Sequence, residues 1–159
     1  MEKSEKRLDY NKAAPGSFQA MYKLEKYVQD SGLEKSLLEL VKTRVSQING
    51  CAFCLDMHTK DARAAGETEQ RLYALNAWRE TDFYTGRERA ALAWAETVTL
   101  VSQTHVPDKE FEAVRAEFSE EEIVKLTLAV IAINGWNRLA ISFREIPGAY
   151  QPQSQTAKV

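Results

Sequence analysis

The spacing of apolar residues is helical along almost the whole of this chain, and this feature limits the fold more than any other. Apolar side chains recur every three or four residues in most segments, and no window alternates convincingly with the period of two that is typical of a β-strand. Glycine and proline interrupt the pattern at a few positions, which divides the chain into about six to seven helices. The spacing therefore predicts an all-α fold, a bundle of helices.

End signals place the individual helices. Two capping boxes, Thr85 with Glu88 and Ser119 with Glu122, mark the starts of the fifth and the last helix. Gly66 is placed just beyond the end of the third, where glycine is the usual residue. The predicted spans are residues 18–28, 33–48, 51–66, 68–78, 85–98, 107–118 and 123–143.

The last predicted helix is apolar on nearly all of its sides between residues 126 and 141. This pattern is expected of a helix buried in a bundle or at a subunit interface. A domain of this size has trouble surrounding such a helix alone, so we predict self-association into a homo-oligomer. The segment 134–138 carries polar and amphipathic residues that need hydrogen-bond partners, which an interface between subunits would supply. Alternatively, these residues line the entrance to the cysteine pair of a neighbouring subunit.

Length and composition are those of one compact domain. The 159 residues suit a single core, which we place at residues 1–148, and the biased segment 149–159 is predicted to be a mobile C-terminal tail. Hydrophobic residues make up 44% and charged residues 28% of the chain, close to the average for globular proteins, which excludes a disordered or fibrous chain.

Charge and hydropathy exclude several classes of partner. The net charge is −2, from 21 basic and 23 acidic residues, and no long basic run supports nucleic-acid binding. No stretch approaches 18 apolar residues, so no membrane span is predicted, and the charged N-terminus does not resemble a signal peptide. A cytoplasmic location is therefore expected. In that compartment, two cysteines three residues apart indicate redox or metal chemistry rather than a structural disulfide.

Both cysteines lie in one short segment together with a histidine. On a helix, the spacing of Cys51, Cys54 and His58 places all three along one face. Gly50 breaks the preceding helix, so Cys51 is expected in the first turn of the next one, where unpaired backbone N–H groups and the helix dipole favour a thiolate. Such a Cys-x-x-Cys pair is typical of a dithiol that cycles to a disulfide. Glu39, on the preceding helix, is expected alongside His58, which it would orient for proton transfer.

The pattern Glu39-x11-Cys51-x2-Cys54-x3-His58 resembles the active-site signature of the AhpD-like alkyl hydroperoxidases, within the carboxymuconolactone decarboxylase-like superfamily. The similarity extends to CAFCLDMHTKDARAAGE and to the later INGWNRLAI, and by eye it covers roughly residues 20–145. Because the chain is short and carries one copy of the motif, it is similar to the single-motif branch. The resemblance implies an AhpD-like helical fold in a homo-oligomer, a trimer or a hexamer.

The resemblance also implies a thiol-dependent peroxidase in antioxidant defence, with a role for each motif residue. Cys54 is the peroxidatic thiol that attacks an organic hydroperoxide, Cys51 resolves the sulfenic acid, His58 relays protons, and Glu39 is the general base that acts with it. An external thiol, of lipoyl type or a small thiol, restores the dithiol. The helix-terminus argument alone favours Cys51 as the nucleophile, so the two arguments compete. No flavin, haem or dinucleotide motif is visible, and no cofactor is expected.

Other interpretations of the same residues stay open. The two cysteines with His58 are good zinc ligands, with Glu39 or His105 as a fourth, although one helical face seldom wraps a tetrahedral ion. The pair could also be two buried apolar side chains, or serve a protein disulfide reductase or a redox switch that does not turn over peroxide.

The residues between the two cysteines, and the other activities known in the superfamily, indicate which reaction the motif supports. Ala52 and Phe53 stand between the cysteines, where some relatives have a second histidine, so one proton donor of those relatives is lacking. The name-giving decarboxylases of the superfamily lack the dithiol, which makes lactone decarboxylation the least favoured activity.

Overall fold

The computed structural model describes residues 5–152, and within this range the chain forms nine α-helices, one 3-10 helix and no strand. The all-α prediction is therefore confirmed. The helices are α1 (Tyr10–Ala13), α2 (Ser17–Gln29), α3 (Lys35–Asn49), α4 (Ala52–Ala64), α5 (Glu69–Ala74), the 3-10 helix (Leu75–Glu80), α6 (Gly86–Thr99), α7 (Val101–Thr104), α8 (Asp108–Arg115) and α9 (Glu120–Phe143).

Eight of these ten elements correspond to the seven predicted helices, and the differences are at short elements. Both predicted capping boxes are present, with the Thr85 and Ser119 side chains accepting from the backbone of Glu88 and Glu122. The predicted helix 68–78 is instead α5 followed by a 3-10 helix, with non-helical backbone at Ala77. The four-residue helices α1 and α7 were not predicted, because one turn is too short to show a period.

Helix α3 lies at the centre of the domain and packs against α4, α6 and α9. The main core is formed by buried side chains of these helices, such as Val45 of α3 and Ile133 of α9, together with both cysteines. A second, smaller core lies on the other side of α3 and contains Leu40, Leu75 and Trp78. The central position of α3 fixes the start of α4, where the dithiol lies.

The long helix α9 contributes eight buried residues but also exposes Val124, Ile131 and Ile141, each about half exposed or more. In contrast to the prediction that no segment spans a membrane, α9 is long and apolar enough to cross one. The buried core helix of a globular protein meets the same criterion of length and composition. Ser119 caps α9, and one face packs on α2, α3 and α6. The exposed apolar side chains agree with self-association, which stays a prediction.

The polar residues of α9 find partners within the chain, so the predicted need for a subunit interface does not arise for the asparagines. The Asn49 side chain donates to the side-chain oxygens of Asn134 (3.0 Å) and Asn137 (2.8 Å). Asn137 is fully buried and donates to the Ser46 hydroxyl at 3.1 Å. These bonds fix the last turn of α3 against α9 immediately before the cysteine segment.

A buried carboxylate ties α6 to α3 and to the 3-10 helix. Glu96 accepts hydrogen bonds from Arg44 Nε (2.7 Å), Trp78 Nε1 (2.9 Å) and Arg79 Nη1. Burial raises the pKa of Glu96, but the three donated hydrogen bonds outweigh it and the net pKa is lowered. The carboxylate is therefore held in its charged form, which its partners require.

Replacing Glu96 by Gln is expected to lower the free energy of unfolding by about 2 kcal/mol, since a neutral amide leaves two cations and an indole N–H poorly satisfied. Urea denaturation measures the change. Glu121→Gln is the control, because the Glu121 side chain, which pairs with Lys125, is 76% exposed. This substitution should change the free energy of unfolding by no more than about 0.5 kcal/mol. Equal effects of the two substitutions would show that the Glu96 cluster contributes no more than a surface pair.

Candidate active site

A tight turn between α3 and α4 places the cysteines. Gly50 ends α3 with φ of +69°, in the left-handed region that glycine occupies at little cost. Its N–H donates to the carbonyl of Gln47 at 3.3 Å, and the N–H of Cys51 donates to that of Ser46 at 3.0 Å. These hydrogen bonds satisfy two backbone carbonyls at the end of α3, and α4 begins immediately after the turn.

The two cysteines lie at the N-terminus of α4 and are joined by a disulfide. Cys51 is the N-cap residue, one position before the predicted first turn, and Cys54 is the third residue of the helix. Their Cα atoms are 5.4 Å apart, and the Cys51 Sγ accepts from the N–H of Cys54 at 3.3 Å. Each residue is 1% exposed. The structure thus represents the oxidised form of the pair, protected from bulk solvent at a helix terminus.

The structure brings Glu39 and His58 together, as the packing of α3 against α4 was expected to do. The Glu39 Oε2 lies 2.9 Å from the Nδ1 of His58, and both side chains are largely buried. Burial raises the pKa of Glu39, but the hydrogen bond to His58 and the charges of His58 and Lys42 outweigh it, so the net pKa is lowered. A carboxylate that stays ionised beside an imidazole orients the ring and stabilises its protonated form.

The two sulfurs face different cavities. Cys54 lines a cavity of about 400 Å³ together with His58, Glu39 and apolar side chains that include Phe53 and Trp136. Cys51 does not line this cavity. It borders a larger cleft of about 900 Å³, next to Arg144 and Ile146. Cys54 is therefore the sulfur that lines the same cavity as the hydrogen-bonded His58–Glu39 pair.

Two residues near the site were missed by the sequence argument. Asp61 lies one turn after His58 on α4 and lines the same cavity, and Tyr150 donates to its Oδ1 at 2.7 Å. The i, i+3 spacing from His58 was a usable signal for Asp61. Tyr150 had none, since it falls in the segment predicted to be a mobile tail. Residues 149–152 of that segment are described here, and residues 153–159 lie outside the described part of the chain.

The potential metal ligands differ from the set considered from the sequence. Each cysteine sulfur is bonded to the other, so neither is available as a thiolate ligand in this oxidised form. One ligand atom each from Glu39, His58 and Asp61 lie within 4.8 Å of one another, a group without cysteine. The zinc site built on both cysteines thus requires the reduced state.

Comparison with known proteins agrees with the fold and the family resemblance. The model of the carboxymuconolactone decarboxylase family matches residues 15–97, just over half of the chain, and this range contains Glu39, both cysteines and His58. The uncharacterized protein YdfG of Bacillus subtilis is 48% identical over 136 residues, which are 86% of this chain and 92% of YdfG.

Two further comparisons bear on the AhpD resemblance. A crystal structure of a protein of unknown function from Agrobacterium tumefaciens, described as a candidate antioxidant defence protein AhpD, is 49% identical with a TM-score of 0.88. The match covers 92% of this chain and 100% of that one. The alkyl hydroperoxide reductase AhpD of Bradyrhizobium diazoefficiens is 40% identical over 45 residues, 28% of this chain and 25% of that protein. The AhpD-like helical fold is thereby confirmed, and the chain belongs to the carboxymuconolactone decarboxylase family.

Proposed function

We propose that this protein is a thiol-dependent peroxidase that reduces organic hydroperoxides through the Cys51–Cys54 dithiol. The observation that carries the proposal is that Cys54 shares a cavity with the hydrogen-bonded His58–Glu39 pair, while Cys51 lies within disulfide distance of it. A nucleophilic thiol, an adjacent base and a group that orients the base are the parts that covalent catalysis requires. The likeness to AhpD proteins supports the same peroxidase-related role.

The reaction balances with these residues alone and an external thiol donor. The Cys54 thiolate attacks the outer oxygen of ROOH, the O–O bond breaks, and the alkoxide takes a proton from His58 to leave as ROH. Cys54 is then a sulfenic acid, and the Cys51 thiol attacks its sulfur, which forms the disulfide and releases water. Two thiols of the donor reduce the disulfide and are themselves oxidised to a disulfide.

The cavity suits an organic rather than a purely polar peroxide. Its lining combines the polar pair with Phe18, Phe53, Met57 and Trp136, which offer apolar contact to an alkyl group. A volume of about 400 Å³ accommodates a small alkyl hydroperoxide. The expected substrate is therefore a hydroperoxide with a modest apolar substituent.

The donor, the assembly and the location belong to the same proposal. The cleft on the Cys51 side offers a thiol donor, of lipoyl type or small, a route to the disulfide that does not pass through the peroxide cavity. The apolar face that α9 exposes supports a homo-oligomer, a trimer or a hexamer. The cytoplasm supplies the reducing thiols that this cycle consumes.

One equivalent of tert-butyl hydroperoxide mixed with the fully reduced protein is expected to close one Cys51–Cys54 disulfide per peroxide consumed. Mass spectrometry after quenching with an alkylating agent measures the loss of free thiols with time. Free cysteine at the same thiol concentration is the control, and a dithiol added afterwards should restore both thiols. Oxidation no faster than that of free cysteine would contradict the peroxidase proposal.

A protein disulfide reductase is the second candidate, favoured by the cleft of about 900 Å³ that reaches Cys51. A cleft of this size, partly open to solvent, is wider than a small peroxide needs. In the experiment above, this candidate predicts slow reaction with peroxide but rapid exchange of the reduced protein with a disulfide-bonded substrate such as insulin.

A further inference from the structure

Three side chains that can bind a metal ion converge from two packed helices. Glu39 lies on α3, and His58 and Asp61 lie one turn apart on α4, which packs against α3. One ligand atom from each residue lies within 4.8 Å of the other two. Side chains on helices are held in place more precisely than side chains on loops. The packing of α3 against α4 therefore fixes the three side chains relative to one another.

The spacing of the first two ligand atoms suits coordination by one ion. Oε2 of Glu39 and Nδ1 of His58 are 2.9 Å apart, and His58 is 6% exposed. Two atoms that bind one zinc ion at about 2.1 Å, at an angle between a right angle and the tetrahedral angle, are about 3.0–3.4 Å apart. An ion can thus replace the proton between these two atoms with little movement of either side chain.

The Asp61 carboxylate is oriented by one hydrogen bond and keeps an oxygen free. The Tyr150 hydroxyl donates to its Oδ1 at 2.7 Å. Within residues 5–152, neither Oδ2 of Asp61 nor Oε1 of Glu39 accepts a hydrogen bond. Carboxylates that ligate metals are usually held by an outer hydrogen bond of this kind. Both carboxylates therefore have lone pairs available for an ion.

The cavity around these three residues carries an excess of negative charge. Among the described residues, its lining includes four carboxylates and two lysines. Two of the carboxylates are matched by cations, in the ion pairs Glu25–Lys42 and Glu145–Lys6. The two that remain are the two of the ligand group, and they lie within 4.8 Å of each other. A divalent cation between them would neutralise both charges.

We propose that Glu39, His58 and Asp61 form a binding site for a divalent transition metal ion such as Zn²⁺, without the cysteines. One imidazole nitrogen and two carboxylate oxygens are ordinary zinc ligands, whereas Mg²⁺ and Ca²⁺ prefer oxygen ligands alone. Three protein ligands leave a fourth position open to the cavity, where water can bind. The site goes beyond the peroxidase function and does not depend on it.

The test is isothermal titration of ZnCl₂ into the metal-free, fully oxidised protein, in which the disulfide leaves neither sulfur as a thiolate ligand. One zinc ion per chain is expected to bind, and MgCl₂ at the same concentrations should give no binding. His58→Ala and Asp61→Asn should each raise the Kd for zinc at least about 10-fold, since loss of a ligand costs no less than loss of a group that supports one. Asp61→Asn keeps an oxygen that can accept from Tyr150.

The matched control is His105→Ala, which removes the other of the two histidines. His105 is exposed at the end of α7 and does not line the cavity, so the Kd should change less than about twofold. In NMR spectra of the wild-type protein, which require no substitution to fold, zinc should shift the ring signals of His58 and not those of His105.

Absence of zinc binding to the oxidised wild-type protein would overturn the proposal. Unchanged affinity in His58→Ala or in Asp61→Asn would also overturn it, as would an equal loss of affinity in His105→Ala. None of these measurements contains peroxide or free thiols. Failure of the peroxidase proposal would therefore appear only in the thiol oxidation experiment and would leave the zinc results unchanged.

Discussion

Replacing Cys54 by Ser is expected to reduce the rate of hydroperoxide reduction by about 10³-fold or more, because the variant lacks the thiolate that opens the O–O bond. Cys51→Ser is expected to behave differently. It should react with one equivalent of peroxide at a rate close to wild type and then stop, since no resolving thiol remains. The structural reason is that Cys54, and not Cys51, lines the cavity that contains His58.

The two single variants are each other's control, because both remove the disulfide and only one removes the proposed nucleophile. A sulfenic acid trap such as dimedone, followed by mass spectrometry, should label Cys54 in Cys51→Ser and leave Cys54→Ser unlabelled. Labelling of Cys51 instead would reverse the roles. In that case the N-cap position of Cys51, whose sulfur accepts a backbone N–H, would be the better guide to the nucleophile.

The sequence was sufficient for the architecture because the fold depends on helical periodicity and strong end signals. The capping boxes at Thr85 and Ser119 and the break at Gly50 are local, and the structure contains all three. Helices of one turn, such as α7, have no period and depend on tertiary contacts. The partners of Asn134 and Asn137 were assigned to an interface because pairing between α3 and α9 is not visible in either segment alone.

The candidate site was predictable where its residues share one segment or one motif. Cys51, Cys54 and His58 lie within eight consecutive positions, and Glu39 was found from its distance to Cys51 in the motif. Which sulfur faces the cavity was not predictable, since both lie on one helical face and the cavity is formed by five other segments of the chain. Tyr150 was not predictable for the same reason, because its hydrogen bond to Asp61 depends on where the chain returns after α9.

Glu39→Gln is expected to lower the rate of Cys54 oxidation by peroxide about 10²- to 10³-fold, and His58→Ala by at least as much. The amide retains a hydrogen bond to His58 but not the charge that stabilises the imidazolium. Stopped-flow oxidation of the reduced protein by tert-butyl hydroperoxide measures the rate. Glu34→Gln is the matched control, since Glu34 is the N-cap of the same helix and forms its ion pair with Arg87, outside the cavity.

The stability of these variants should depend on pH in a direction that the Glu39 pKa sets. Because the net pKa of Glu39 is lowered in the folded protein, its pairing stabilises the fold above the unfolded value of about 4.3, and this contribution is lost as the pH falls through the folded pKa. Glu39→Gln should therefore cost more unfolding free energy at pH 7 than at pH 3 in urea titrations. A cost that is the same at both pH values, together with a wild-type rate of oxidation, would mean that the carboxylate fills space beside His58 and does not hold its proton.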